Sequence, residues 1–199
     1  MRMSTGFKGL VAVGAMLAAG SALAATPVVD GGGKLTGATG VVVGSATYNV
    51  AFVDGTCGSV FTGCDAASDF TFQTQDGARA ARDALLTQVF LGTYDTTPGL
   101  TAGCALGAES CIVYVPYAID GSNVLGASLN NGIGSNTIGD SSTPTSFDLT
   151  QFSGQTYARF SLASTAVPEP ASWAMMLLGF AGIGMAVRRR GVAQTFSRA

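Results

Sequence analysis

Histidine is absent from this chain of 199 residues, and lysine and glutamate occur only twice each. Without histidine, neither a Ser-His-Asp nor a Cys-His catalytic arrangement can form, and no histidine-ligated metal site is available. The shortage of glutamate confines a carboxylate-pair hydrolase to aspartates, or to aspartate with Glu109, and no spacing singles out a pair. The shortage of lysine bears on partners. Between Ala25 and Val167, eleven carboxylates stand against Lys34, Arg79, Arg82 and Arg159, a net charge of −7 that the tail arginines mask in the whole-chain value of −2. Phosphate binding needs clustered Lys and Arg, so no nucleic-acid partner is expected. These absences point to a non-enzymatic chain with no cofactor and no resident metal.

What is present lies first at the ends. Arg2 and Lys8 precede an apolar run, Leu10 to Ala19, followed by Ser21-Ala22-Leu23-Ala24. This is the three-part grammar of a secretory signal peptide over residues 1–24. Ala22 and Ala24 supply the small side chains that signal peptidase accepts, with cleavage after Ala24. The run is too short for a permanent span. A buried N-terminal helix is the alternative. No cysteine follows the expected cut and no twin arginine precedes the run, which argues against a lipoprotein and for export in the unfolded state.

At the other end, Val167-Pro168-Glu169-Pro170 precedes Ala171 to Val187, seventeen residues without a charge, and then Arg188-Arg189-Arg190. Seventeen residues lie at the short end of the about 17–25 that cross a bilayer core. The arginine cluster is expected to stay cytoplasmic with residues 191–199, leaving the N-terminal side translocated. Trp173 sits where an amphipathic ring prefers the headgroup region. The two prolines keep the neck extended, as a protease requires. A tail anchor that is never cut is the competing reading.

Pro-Glu-Pro, a single span opening Ala-Ser-Trp-Ala-Met-Met-Leu-Leu-Gly and an arginine triplet together resemble the PEP-CTERM domain over Val167 to Arg190. The resemblance implies recognition by exosortase, a membrane-embedded cysteine transpeptidase of Gram-negative bacteria. It further implies removal of the span and release or attachment at the cell surface, often alongside exopolysaccharide production. Ala51 to Cys57 (AFVDGTC), followed by a helix, is also similar to a core found in other PEP-CTERM proteins of no assigned activity.

The four cysteines fall as Cys57-x6-Cys64 and Cys104-x6-Cys111. In an oxidising compartment they read as disulfides, and of the three connectivities the equal spacing favours the local one. A four-cysteine zinc site is the alternative, although its ligand pairs normally stand closer together. A catalytic thiol lacks any histidine or nearby lysine to activate it.

Residues 25–166 are expected to form one α+β domain, a mainly antiparallel sheet with one amphipathic helix. Leu35 to Val43 and Ala46 to Val53 read as a hairpin around Gly44-Ser45. Phe70-Thr71-Phe72 is a short strand candidate. The helix is placed at about 77–91, with Asp76 as N-cap, Gly92 as stop, an Ala78, Ala81, Leu85, Leu86, Val89 and Phe90 stripe, and Arg79, Asp83 and Gln88 outward. Ile112 to Ile119, Val124 to Leu129, Ser146 to Phe152 and Gln155 to Leu162 read as strands. Asn130-Asn131-Gly132 and Asn136 to Pro144 read as turn and loop.

Asp54, Asp65, Asp69 and Asp76 form a loose acidic group that offers calcium its preferred oxygen ligands, although no calcium-loop spacing accompanies them. Tyr48, Tyr94, Tyr114, Tyr117 and Tyr157 offer a sugar-stacking surface, or ordinary strand residues. Asp120 and Asp140 read as turn formers. The functional expectation is an exported, non-enzymatic protein of the exopolysaccharide or biofilm matrix. The alternative is a carbohydrate- or calcium-binding module.

Overall fold

The structure, a computed structural model, describes residues 25–164 and 176–181. The expected signal peptide with Ala22 and Ala24, the Pro168-Glu169-Pro170 motif and Arg188, Arg189 and Arg190 lie outside the described residues. So does most of the apolar run 171–187, and no described helix is long and apolar enough to cross a membrane.

Strands β1 (Thr26–Val29), β2 (Leu35–Val43) and β3 (Ala46–Val53) come first. Helices α1 (Cys57–Val60), α2 (Gln75–Gln88) and α3 (Thr93–Thr96) follow, and then strands β4 (Ser110–Asp120), β5 (Asn123–Gly132), β6 (Thr137–Pro144) and β7 (Gln155–Leu162). The strands make one seven-stranded sheet in the order β1-β2-β3-β7-β4-β5-β6. Every neighbouring pair is antiparallel except β4 with β7, which run parallel over Ile112–Tyr114 and Gln155–Tyr157. The chain's last strand is therefore the middle one.

Strand alternation divides the apolar side chains between two faces. On one face Val50, Phe52, Val113, Val115, Ala127, Leu129, Ala158 and Phe160 pack against Ala78, Ala81, Leu85 and Phe90 of the α2 region. On the other, Tyr157 and Val124 pack against Cys57, Val60 and Phe61 of the first cysteine loop and against Phe70 and Leu149.

The hairpin forms where expected. Helix α2 differs: it begins at Gln75, because the Thr74 hydroxyl, rather than Asp76, accepts the hydrogen bond from Gly77 N. It ends at Gln88, before Gly92, so the expected 77–91 range is displaced toward the N-terminus. Its polar side chains do not simply face water. Arg82 is buried and donates to Gly139 O, while Arg79 and Gln75 both bond the Asp140 carboxylate. At the other end Gln88 both donates to Val42 O and accepts from Val42 N, at 2.8 and 2.9 Å. β1 pairs with β2 only as far as Thr39, so the Gln88 amide replaces a strand along the remaining edge. Helix α2 is thus fastened to both β6 and β2.

Further expectations are corrected. Asn136 to Pro144 is not a loop: residues 137–144 are β6, an edge strand paired with β5 along its length, and Asn130-Asn131-Gly132 ends β5. Asp140 is accordingly a strand residue in an ion pair with Arg79. Ser146 to Phe152 is not a strand but a turn region with a 3-10 segment at Leu149–Gln151, capped by the Asp148 carboxylate accepting from Thr150 N.

Phe70 to Phe72 is no strand either. Even-numbered β4 residues aim their N–H groups at β7, as Ile112 N does at Gly154 O. Pro116 has no N–H to continue that ladder. The parallel pairing stops after Tyr114 and the sheet opens. Thr71 Oγ1 fills the opening by donating to Phe160 O at 2.6 Å. Phe70 packs on one face and Phe72 on the other. The segment threads the sheet, carrying the chain from the cysteine loop to α2.

Candidate functional site

β7 is the strand through which the core connects to the Pro-Glu-Pro neck, and the structure fixes it from both sides. Its six pairs with β3 run from Val53↔Tyr157 to Tyr48↔Leu162, and Ala163 N donates to Thr47 O at 2.9 Å. Its start is held by the second cysteine loop, where Ala105 N donates to Ser153 O and Ile112 N to Gly154 O.

The cysteines form the two local disulfides expected, Cys57–Cys64 and Cys104–Cys111, with Cα separations of 5.7 and 5.8 Å. All four are buried, and no free cysteine remains. Both staples touch β7. The first loop sets Phe61 edge-on against Tyr157, ring centroids 5.5 Å apart, and brings Val60 O to within 3.5 Å of Arg159 Nη1. The second closes the bracket around Gly154. Cysteines thus serve to hold the closing strand.

The four aspartates of the loose acidic group do not converge. Asp65 and Asp69 meet beside Gly63, where the Asp69 carboxylate accepts from Asp65 N and Ala66 N. Those two donors hold the Asp69 carboxyl below its usual range. Asp76 is solvent-exposed near Arg79. No group of three or more Cys, Asp or Glu side chains able to hold a metal ion occurs among the described residues.

Asp54 lies apart at the end of β3. Its Oδ1 is buried without a hydrogen-bond partner and rests where a side chain on Gly103 would stand, beside Thr156. Gly103 has φ +89°, so both its backbone and this contact require glycine. Burial pushes the Asp54 carboxyl up, Lys34 works against that shift and Asp148 adds to it. A raised folded-state value means that protonation favours the fold: the contribution is full below the unfolded value and lost as pH rises through the folded one. Asp54→Asn is therefore expected to raise the melting temperature near neutral pH, with the gain shrinking in acid. Thermal melts at about pH 7 and about pH 3 measure it.

The tyrosines do not assemble a stacking surface. Tyr48, Tyr94 and Tyr117 pack against the helix-side core, and Tyr114 and Tyr157 against the other. Burial, with Tyr114 alongside, pushes the Tyr157 phenol up to about 12. An aromatic pair not anticipated from the sequence is Phe147 with Phe152, stacked at 4.4 Å between centroids, with Phe152 exposed. Their spacing across a 3-10 turn carries no periodic signal.

Residues 166–190, which begin four positions beyond the end of β7, match the family model of the PEP-CTERM protein-sorting motif. The chain carries a PEP-CTERM sorting motif. No curated protein matches the chain, and no solved structure matches it. The PEP-CTERM motif supports an exported protein, processed by exosortase and delivered to the surface or the exterior. The two buried disulfides fit that destination.

Proposed function

We propose that this PEP-CTERM protein is a non-enzymatic component of the extracellular exopolysaccharide or biofilm matrix. In this reading signal peptidase cuts after Ala24, the tail holds the folded core at the membrane through residues 171–187, and exosortase then removes the tail. The observation that carries it is the sorting motif joined directly to the middle strand of a disulfide-stapled sheet. β1 starts at Thr26, two residues after Ala24, so the first cut removes no strand residue. The histidine-free composition supports a structural rather than catalytic role.

A second reading, a carbohydrate-binding module, draws on the exposed face of Phe152 beside Phe147, since a flat aromatic face suits a sugar ring. Co-sedimentation of the released protein with exopolysaccharide from the producing cells tests the matrix assignment. The expected result is co-sedimentation with the polymer's chain length unchanged. Protein left in the supernatant refutes matrix association, and shortened polymer refutes a non-enzymatic role. Loss of co-sedimentation in Phe152→Ala alone assigns the binding to that aromatic pair.

A further inference from the structure

β7 leaves the core at the end of the sheet that carries the β2–β3 turn. β7 ends level with Tyr48, and the β2–β3 turn at Gly44-Ser45 projects past that level by three to four residues, about 10 Å at a rise of roughly 3.3 Å per residue. Beyond Ala163, which is still bonded to Thr47 O, eight residues lead to Ala171, where the apolar run begins. Fully extended, they span at most about 28 Å. Measured from Thr47, level with Ala163, the turn covers two to three residues, about 7–10 Å of that length at a rise of roughly 3.3 Å per residue, and the headgroup layer occupies roughly 5–8 Å more on that side of the hydrocarbon. The turn thus stands within roughly 10–16 Å of the headgroups even on a taut tether, and reaches them on a slack one.

The chemistry of this end suits that position. No charged residue occurs between Lys34 and Asp54, so β2 and β3 carry none, and none occurs from Phe160 to Ser164. Val42 is exposed beside the turn, and Leu162, level with Tyr48 and so about 10 Å behind it at a rise of roughly 3.3 Å per residue, is exposed at 68%. Opposite, the strand ends and turns hold Asp30, Lys34, Asp54, Glu109 and the Asp95–Asn136 pair. Asp120, the last residue of β4, also lies toward the near end, across the sheet opening from β7. A core with a net charge of −7 is repelled by anionic lipid, and an uncharged apolar tip minimises that repulsion where approach is closest.

We propose that the β2–β3 turn, with Val42 beside it and Leu162 set behind it, is a lipid-contacting tip that seats the core on the membrane surface until the tail is cut. The proposal rests on the reading of 171–187 as a membrane span. Before cleavage the tip sets the depth of the Pro-Glu-Pro neck at the interface; after it, two exposed apolar side chains are too little to retain the protein on lipid.

The test uses the full chain with its native disulfides, in vesicles of phosphatidylcholine and phosphatidylglycerol containing a headgroup spin-labelled lipid and no exosortase. A fluorophore is attached through Ser45→Cys at the tip or, as the control, through Ser153→Cys at the far end, both exposed positions. Quenching at Ser45 several-fold above that at Ser153 is expected. A chain that floats with the vesicles yet shows equal quenching at both positions overturns the lipid-contacting tip alone. A chain that fails to float overturns the membrane-span reading and the tip with it.

Discussion

Replacing Phe160 with alanine is expected to destabilise the core by about 3–5 kcal/mol, the usual range for deleting a buried aromatic ring. Phe160 sits on β7 at the sheet opening and is only 5% exposed. Its ring packs edge-on against Phe72 at 5.2 Å and Tyr48 at 6.1 Å, and its carbonyl accepts from Thr71. One side chain therefore joins three parts of the fold: the closing strand, the hairpin and the threading segment that leads into α2. Because no β4 pairing backs this half of β7, the cavity has little strand structure to collapse onto, and the cost should lie toward the upper end. Urea unfolding checks it, through a lower midpoint with an unchanged slope. A loss under 1 kcal/mol would mean that the threading segment does not pack as described.

The paired change Cys104→Ala with Cys111→Ala is expected to cost about 2–5 kcal/mol, the range for losing a native disulfide in a small secreted domain. Part of that is the freed entropy of the unfolded chain. The rest is local, because the loop holds Ala105 N and Ile112 N against Ser153 O and Gly154 O, just ahead of β7. Loosening it weakens the only parallel pairing in the sheet, between Ile112–Tyr114 and Gln155–Tyr157. The corresponding change at Cys57 and Cys64 acts on the opposite face, through Phe61 and Tyr157. Unfolding the two double variants and the quadruple variant that combines them should show additive losses, since the two staples lie in different clusters.

The sorting motif was legible because it is linear: Pro-Glu-Pro, an uncharged run and an arginine triplet announce themselves without tertiary structure. The hairpin was legible for a similar reason, since Tyr48, Val50 and Phe52 alternate beside a Gly-Ser turn. β6 was not. Its sequence, TIGDSSTP, has the composition of a turn, and what makes it a strand is eight partners on β5 together with Arg79 and Gln75 on its Asp140. Phe70-Thr71-Phe72 shows the reverse error. The alternation was genuine, but the two rings point to opposite sides of a sheet that the segment crosses rather than joins. The displaced start of α2 reflects a choice between Thr74 and Asp76 that only Gly77 N decides. The placement of β7 between β3 and β4 depends on contacts 43 residues away in β4 and 104 to 114 residues away in β3, which no local pattern encodes. Asp54 beside Gly103 was hidden for the same reason.

The measurement that bears most directly on exosortase sorting is the intact mass of the protein recovered outside the cell, with thiol labelling before and after reduction. A chain starting at Ala25 and ending between Pro168 and Pro170, with no label before reduction and four after it, is the expected result. Protein confined to the membrane fraction with Arg188, Arg189 and Arg190 still attached would contradict it, leaving an anchored domain that exosortase does not cut.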